Sequence, residues 1–466
     1  MKRWALIALA VMALGVGAWL WMRAKSQTAE PQSLLVEFTC DVHGRLVPCG
    51  CFTGQLGGLT RIATMIGLGS HPGQVKVDVG DAIRGPADYE VIEYRYIQRA
   101  FAAMGYEALN VGHREAQLSA DALRELKQSA PVPMLSANLL DKATGSPLFD
   151  AYRVIRRGGW RIALVGVMES RGVGDALGEG LRVEDMEVTL GRLLPTLKKE
   201  ADCIVLLAFA DEAALAGLAK QFYELDIILG GKVKQPSQQL VRENRSLILA
   251  TTNQSRALGT LSVTIAGPSK ITPVSGEVQL VSDRIPQHPE IAVLAAAYRD
   301  EVRRTKLAID DPATLQQDMV PGVKVASNYV GSESCISCHA GAASKWHGSG
   351  HAQGWGALVE TKADADPNCI SCHSVGFGTP SGYRRAFEGA KLTGVGCESC
   401  HGPGSQHVAQ RQAGGEVTTH FRPLGAGDCV KCHHGEFSRP FDYAQFWPAI
   451  EHGKEAPNRP APALFR

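Results

Sequence analysis

The chain has almost no excess of charge of either sign: 48 Lys and Arg stand against 47 Asp and Glu, for a formal net charge of +1. A polyanion-binding surface needs a basic excess, so no nucleic-acid partner is expected. Methionine is missing after Met319, which removes the thioether side chain as a metal ligand from the whole C-terminal part. No cysteine sits near residue 20 to carry a lipid. No internal repeat is visible apart from one five-residue motif.

That motif is where the missing residue types are replaced. Ten of the fourteen histidines lie beyond residue 330, and eight of the twelve cysteines fall in four C-x-x-C-H runs. These are Cys335-Ile-Ser-Cys338-His339, Cys369-Ile-Ser-Cys372-His373, Cys397-Glu-Ser-Cys400-His401 and Cys429-Val-Lys-Cys432-His433. Two thiols three positions apart reach the two vinyl groups of one porphyrin, and the adjoining imidazole meets the iron. Paired C-x-x-C units also make four-cysteine zinc sites, and a thioredoxin-like motif needs one such pair. Zinc does not require a His directly after the second Cys, and all four pairs have one. Four covalently bound haem c groups are expected, with His339, His373, His401 and His433 as proximal ligands. No Met is available for the other axial position, so bis-His ligation at low potential follows.

The segments around these motifs carry more information. They include Tyr329-Val-Gly-Ser-Glu-Ser before Cys335, Trp346, Ser349-Gly-His-Ala352, Asp366-Pro-Asn368, Gly402-Pro-Gly-Ser405 with His407, and Ile450-Glu-His-Gly-Lys454. Over about 330 to 455 the chain resembles the tetrahaem cytochromes related to the electron acceptor of hydroxylamine oxidoreductase. The resemblance implies His351, His407 and His452 as distal ligands, and a haem that lacks a protein ligand on one side. His347 and His420 are further distal candidates that would close such a site.

The N-terminus reads Met1-Lys2-Arg3, an uncharged run from Trp4 to Met22, then Arg23 and Lys25. Nineteen such residues suffice to span a bilayer, and no clean A-x-A cleavage site follows. A membrane anchor or signal over 1–25 is expected, with a polar linker at 26–33. Haem attachment takes place outside the cytoplasm, so the body is expected in the bacterial periplasm, held at the inner membrane by an N-terminal transmembrane helix.

From Leu34 onward, short apolar runs alternate with amphipathic ones, as in a layered α/β domain over 34–285. A helix and linker follow at 286–328, then the mostly α-helical and irregular cytochrome domain at 329–466. Asp41-Val-His43 follows the first apolar run, Asp81 the second, and Gly112-His113-Arg114-Glu115 comes later. Acids and imidazoles at strand ends are how two metals are held over a phosphate. With Gly57-Gly-Leu-Thr-Arg61 and Ser136-Ala-Asn138, this part resembles the metallophosphatase domain of the 5′-nucleotidase family. The family's G-N-H-E reads Gly112-His113-Arg114-Glu115, and its G-H-x-H reads Gly231-Lys232-Val233-Lys234. Asp41, His43, Asp81 and His113 thus remain of a dinuclear site, and these departures speak against a divalent metal there. Arg114, Lys232 and Lys234 could instead bind an anion. Cys40, Cys49 and Cys51 match a subgroup with a Cys-Gly-Cys insertion and form either a disulfide or a redox site.

The expected function is electron transfer between a membrane donor and a soluble or outer-membrane acceptor. Reduction of a small nitrogen or sulfur oxyanion at an open haem is the competing expectation, and a residual metal-dependent phosphoesterase is the third.

Overall fold

The structure is a computed structural model. It describes residues 31–48, 55–172, 176–252, 254–310, 327–385, 390–414, 416–434 and 441–453. The chain divides into two compact units: Met1–Arg45, Gly57–Pro86 and Ile97–Val281 make the first, and Leu46–Leu56, Ala87–Tyr96 and Ser282–Arg466 the second.

The strands of the first unit are β1 (Gln32–Thr39), β2 (Gln74–Asp78), β3 (Ala108–Asn110), β4 (Met134–Leu135), β5 (Leu139–Asp141), β6 (Tyr152–Arg157) and β7 (Trp160–Met168). They continue as β8 (Leu181–Val183), β9 (Cys203–Phe209), β10 (Ile227–Gly231), β11 (Val241–Glu243), β12 (Ser246–Ala250), β13 (Ala257–Ile265) and β14 (Ile271–Leu280). Two six-stranded sheets result, in the orders β14-β13-β1-β2-β3-β4 and β11-β12-β10-β9-β7-β6, with β5 and β8 paired apart. Every residue of β9 is buried, as expected of an unbroken Cys-Ile-Val-Leu-Leu-Ala-Phe run in a parallel strand covered on both faces. Strand β13 buries alternate residues toward its end, the period-2 pattern of a strand with one face covered.

Helices α1 (Leu59–Ile66), α2 (Asp88–Met104), α3 (Ala120–Ser129), α4 (Met186–Glu200) and α5 (Glu212–Gln221) connect the strands. Ser119, Asp185 and Asp211 cap α3, α4 and α5 with their side chains, satisfying N–H groups that have no partner within the helix. Leu190, Leu194, Leu206, Leu218 and Ile228 belong to the core formed between these helices and the second sheet. The α/β layering is therefore as expected. Strands β1, β2 and β3 run parallel, so their C-terminal ends deliver the candidate side chains to one edge of the sheet.

The C-terminal part of the second unit opens with α6 (Pro289–Arg304) and continues in short helices: α7 (Glu333–Ile336), α8 (Ala340–His347), α9 (Gly350–Glu360) and α10 (Pro367–His373). They are followed by α11 (Cys397–His401), α12 (Ser405–Gln412), α13 (Ala426–Cys429) and α14 (Tyr443–Phe446). Its apolar core is small, built on Leu358, Ala363, Ile370, Val375, Tyr383 and Leu392. Polar joints supplement it. Arg385 pairs with Asp310 and donates to the carbonyls of Val302 at 2.7 Å, Thr305 at 3.1 Å and Ala365 at 3.1 Å.

The expected transmembrane helix requires correction. Residues 1–30 lie outside the described residues, and among the described residues no helix is long and apolar enough to cross a membrane. The longest, α2, has 17 residues and carries acidic groups in its first turn. It would span about 25 Å of a hydrocarbon layer about 30 Å thick.

Candidate functional site

Each C-x-x-C-H run forms, or directly follows, a short helical turn. The carbonyl of Cys335 accepts from the N–H of His339 at 3.0 Å, and that of Cys429 from His433 at 2.9 Å. One such turn puts residues i, i+3 and i+4 on the same face, which brings both thiols and the imidazole to one side. Asp366 starts α10 by accepting from the N–H of Asn368 at 3.0 Å, with Pro367 in the first turn. Gly402, at φ 85°, ends α11 in a left-handed conformation that glycine adopts without strain. All eight motif cysteines are half-buried or exposed.

The imidazoles fall into pairs. His339 and His407 have ring centres 6.3 Å apart, His351 and His433 5.9 Å, and His401 and His452 5.9 Å. Each pair joins a motif histidine to one of the distal candidates His351, His407 and His452. Two opposed imidazoles that bond one transition metal through nitrogen at about 2 Å stand about 6.3 Å apart, centre to centre. The pairs therefore leave room for one iron each.

The protonation chemistry agrees with that fit. Burial pushes His339, His351, His373 and His401 below the usual imidazole range, with neighbouring histidines adding to the effect at His339, His351 and His401. This favours the neutral ring that binds metal. His407 Nδ1 donates to the Thr419 carbonyl at 3.0 Å and His452 Nδ1 to that of Ile450 at 2.8 Å. Holding Nδ1 in this way leaves Nε2 as the ligating nitrogen. The Nδ1 of His401 is buried without a partner among the described residues.

His373 is arranged differently. Its Nδ1 faces the Gly354 carbonyl at 3.0 Å, and among the described residues it belongs to no imidazole pair. His347 packs against Trp346, with ring centres 4.5 Å apart, and His420 is exposed.

Thiol contacts relate the motifs to one another. A hydrogen bond between Cys335 and Cys397 pushes the first thiol up and the second down to about 6. Cys432 and Cys372 repeat the arrangement, with Cys372 at about 6. Burial raises Cys400, and the nearby Cys429 adds to the shift. The first motif thus adjoins the third, the second adjoins the fourth, and the third adjoins the fourth.

Three residues were not legible as part of this site. Glu398, 3% exposed, accepts from the N–H groups of Val330 at 3.0 Å, Gly331 at 2.7 Å and Gly404 at 2.8 Å. Phe421 touches both His401 and His407, and Phe441 stacks on His433. The invariable positions of the motif gave no signal for any of them.

In the first unit, Asp41, His43, Asp81 and Lys232 all have left-handed backbones, with φ of 52°, 53°, 58° and 61°. Such non-glycine conformations cost of order 1–3 kcal/mol each and cluster at functional sites. Glu115 organises the edge by accepting from the N–H groups of Asp81 at 3.0 Å, Ala82 at 2.8 Å, Ile83 at 2.9 Å and Gly112 at 2.9 Å. Asp41 lies 3.8 Å from His43 and accepts from Thr252 Oγ1 at 3.3 Å.

The cations at this edge already face carboxylates. The Arg114 guanidinium lies 3.6 Å from Asp81, and Lys232 Nζ lies 3.0 Å from Glu169 Oε2 and 2.8 Å from the Arg171 carbonyl. Lys234 is exposed. His113 Nε2 meets the Glu169 carbonyl at 2.7 Å, and burial lowers its pKa. Among the described residues no three His, Cys, Asp or Glu side chains gather as metal ligands. Cys40 is 1% exposed, and burial, followed by the charges of Asp78, Asp41 and Asp81, keeps it a thiol. Such a thiol is a poor nucleophile. Cys49 and Cys51 lie outside the described residues.

Known proteins match the two parts separately. Residues 334–402 match the family model described as cytochrome c554 and c-prime. Cytochrome c-554 of Nitrosomonas europaea is 35% identical over 104 residues, which are 19% of this chain and 44% of that protein. The 5′-nucleotidase of Vibrio cholerae is 27% identical over 187 residues, 35% of this chain and 34% of that protein. The fold is similar to that of the NAD nucleotidase of Haemophilus influenzae, with a TM-score of 0.52 at 15% identity, covering 65% of this chain and 64% of the other. The chain thus spans less than two thirds of each of these relatives. A cytochrome c554-like part follows a part related to 5′-nucleotidases.

Proposed function

We propose that the chain is a periplasmic tetrahaem electron carrier. Cys335 and Cys338, Cys369 and Cys372, Cys397 and Cys400, and Cys429 and Cys432 would each hold one haem c by thioether bonds. His339, His373, His401 and His433 would be the proximal ligands. The observation that carries this reading is the set of three imidazole pairs, at 5.9–6.3 Å. Haem, when bound, supplies an iron that cycles between two oxidation states. The residues would fix which imidazoles face each other, and partial burial favours the neutral ring at His339, His351, His373 and His401.

The thiol contacts support an order of attachment points that runs first, third, fourth, second. Electrons entering beside Cys335–His339 would leave beside Cys369–His373, or the reverse. The redox partners would be a membrane donor and a soluble or outer-membrane acceptor. The first unit, with Arg114 and Lys232 held by carboxylates, would be a scaffold or binding module rather than a hydrolase. The test is the pyridine haemochrome count and intact mass of the purified chain. Four covalent haems that are reversibly reduced are expected; zinc with no haem would overturn the reading.

His373 favours a second reading, since among the described residues its ring makes no contact with a second imidazole ring. An open position there would let a small nitrogen or sulfur oxyanion be reduced. Electron paramagnetic resonance of the oxidised chain separates the two. A high-spin signal from about one iron in four would favour reduction chemistry, and low-spin signals alone would leave electron transfer.

A further inference from the structure

An imidazole bound to iron through one nitrogen still rotates about that bond, and only its surroundings fix the angle. Three angles between facing rings are fixed here: 31° for His339 and His407, 50° for His351 and His433, and 61° for His401 and His452. In low-spin ferric haem the mutual angle of the two ligand planes sets the splitting of the iron orbitals, so each site would have its own magnetic signature.

Two phenylalanines stand against these rings. The Phe421 ring lies 5.7 Å from that of His401, at 67°, and 5.3 Å from that of His407, at 56°. His401 belongs to the third motif, whereas His407 faces His339 of the first. One side chain, 38% exposed, therefore touches the ligand sets of two irons. Phe441 stacks on His433 at 4.7 Å and 13°, and is itself backed by Phe446 at 5.7 Å and 12°. The stacked Phe441–His433 and edge-on Phe421–His401 contacts are preferred aromatic geometries, and with the tilted Phe421–His407 contact each ring restricts the rotation of its neighbour.

We infer that Phe421 and Phe441 are positioning residues that divide the three bis-imidazole sites between them, with Phe421 setting the ligand planes of the first and third and Phe441 setting that of the fourth. This rests on the tetrahaem reading above. Neither residue is a ligand, so haem content is expected to stay at the wild-type level when either is replaced.

The experiment is electron paramagnetic resonance of the oxidised, haem-loaded full chain, with Phe421→Leu, Phe441→Leu and Phe421→Tyr beside the wild type. Phe421→Leu is expected to shift two of the three low-spin signals and to leave the third. Phe441→Leu is expected to shift only that third signal. Phe421→Tyr keeps the ring, and a hydroxyl at this partly exposed position can reach water, so the wild-type spectrum is expected. The proposal is overturned if Phe421→Leu shifts one signal, none or all three, if the two Leu variants shift the same signal, or if Phe421→Tyr behaves as Leu. Pyridine haemochrome on the same samples separates the two levels. Covalent haem with unmoved signals defeats this inference alone, whereas a wild-type chain without covalent haem defeats the reading beneath it as well.

Discussion

Glu398 offers the sharpest mutational test of how the second unit is held together. It occupies a variable position of the third motif, yet its carboxylate collects three backbone N–H groups: Val330, Gly331 and Gly404, at 3.0, 2.7 and 2.8 Å. Two of these belong to the segment that leads into the first motif, and one to the turn after the third. In Glu398→Ala each donor loses a charged acceptor. An unpaired buried donor costs about 1–3 kcal/mol, and water entering the gap would satisfy part of the set, so a loss of about 2–5 kcal/mol is expected. Against a typical stability of about 5–15 kcal/mol, that is enough to open the joint between the first and third motifs. Glu398→Gln keeps one acceptor oxygen but turns amide donors toward N–H groups, so it should lose roughly half as much. The assay is urea denaturation of the haem-loaded full chain, followed by the Soret band and by far-ultraviolet circular dichroism, because a multidomain chain need not unfold in one step. A Glu398→Ala midpoint equal to that of the wild type would refute the reasoning. So would a Gln variant less stable than the Ala variant.

Other perturbations follow from single contacts. Adding a methyl group to Gly354 would place it 3.0 Å from His373 Nδ1; Gly354→Ala should alter the visible and magnetic spectrum of the second haem while leaving the three paired sites as they are. Lys232 faces Glu169, which is 3% exposed, from a side chain itself 28% exposed, and Arg171 Nε still reaches that carboxylate at 2.8 Å. Lys232→Ala should therefore cost about 1–3 kcal/mol, below the 3–5 typical of a fully buried pair, and Glu169→Gln in the same chain should recover most of it in a double-mutant cycle. Lys76 Nζ is held by the carbonyls of Gly67, Gly69 and Met104 at 3.1, 3.0 and 2.9 Å, and Lys76→Met should destabilise the first unit by about 2–4 kcal/mol at neutral pH. Burial lowers the Lys76 pKa from 10.5, with Glu37 opposing the shift. Between the lowered value and 10.5 the unfolded chain binds more protons, so this group's contribution to stability rises with pH across that window. Denaturation midpoints measured from pH 7 to 10.5 should show that rise in the wild type and not in Lys76→Met.

Much of the architecture could be read from residue order because it rests on local chemistry. The runs at β7, β9, β10 and β12 are mainly apolar, and each forms a strand of the layered α/β part that the alternation of short apolar and amphipathic runs led one to expect. The short strands β3, β5, β8 and β11 could not be read. With three residues each, they have no period to detect, and only their neighbours in the sheet make them strands. The heavy spacing rules of the cysteine motifs were equally legible, since one helical turn sets them. What residue order does not encode is which imidazole meets which. His407 follows the third motif yet faces His339 of the first, and His351 lies between the first two motifs yet faces His433 of the fourth. Such pairings are set by how the short helices pack, a property of the whole unit.

The first unit poses the complementary problem, a strained edge of left-handed residues at which no metal-ligand cluster gathers among the described residues. Asp41, His43, Asp81 and Lys232 keep left-handed backbones, and at of order 1–3 kcal/mol each the strain is comparable to the stability of a whole domain. Strain of that size persists only where the surroundings over-determine it. Glu115 supplies that determination around Asp81: four N–H groups at 2.8–3.0 Å converge on one buried carboxylate and pin the turn from Asp81 to Ile83 against Gly112. The backbone of Asp41 donates to the Gly80 carbonyl at 2.8 Å and that of His43 to the Asp81 carbonyl at 3.1 Å, so the first strained turn is hung on the second. Lys232 is fixed through Glu169, which also accepts from the Asp211 N–H at 3.3 Å. Ion pairs and backbone hydrogen bonds within the chain thus hold the edge in its strained form. Replacing Glu115 should relax the left-handed turns at Asp41, His43 and Asp81 together.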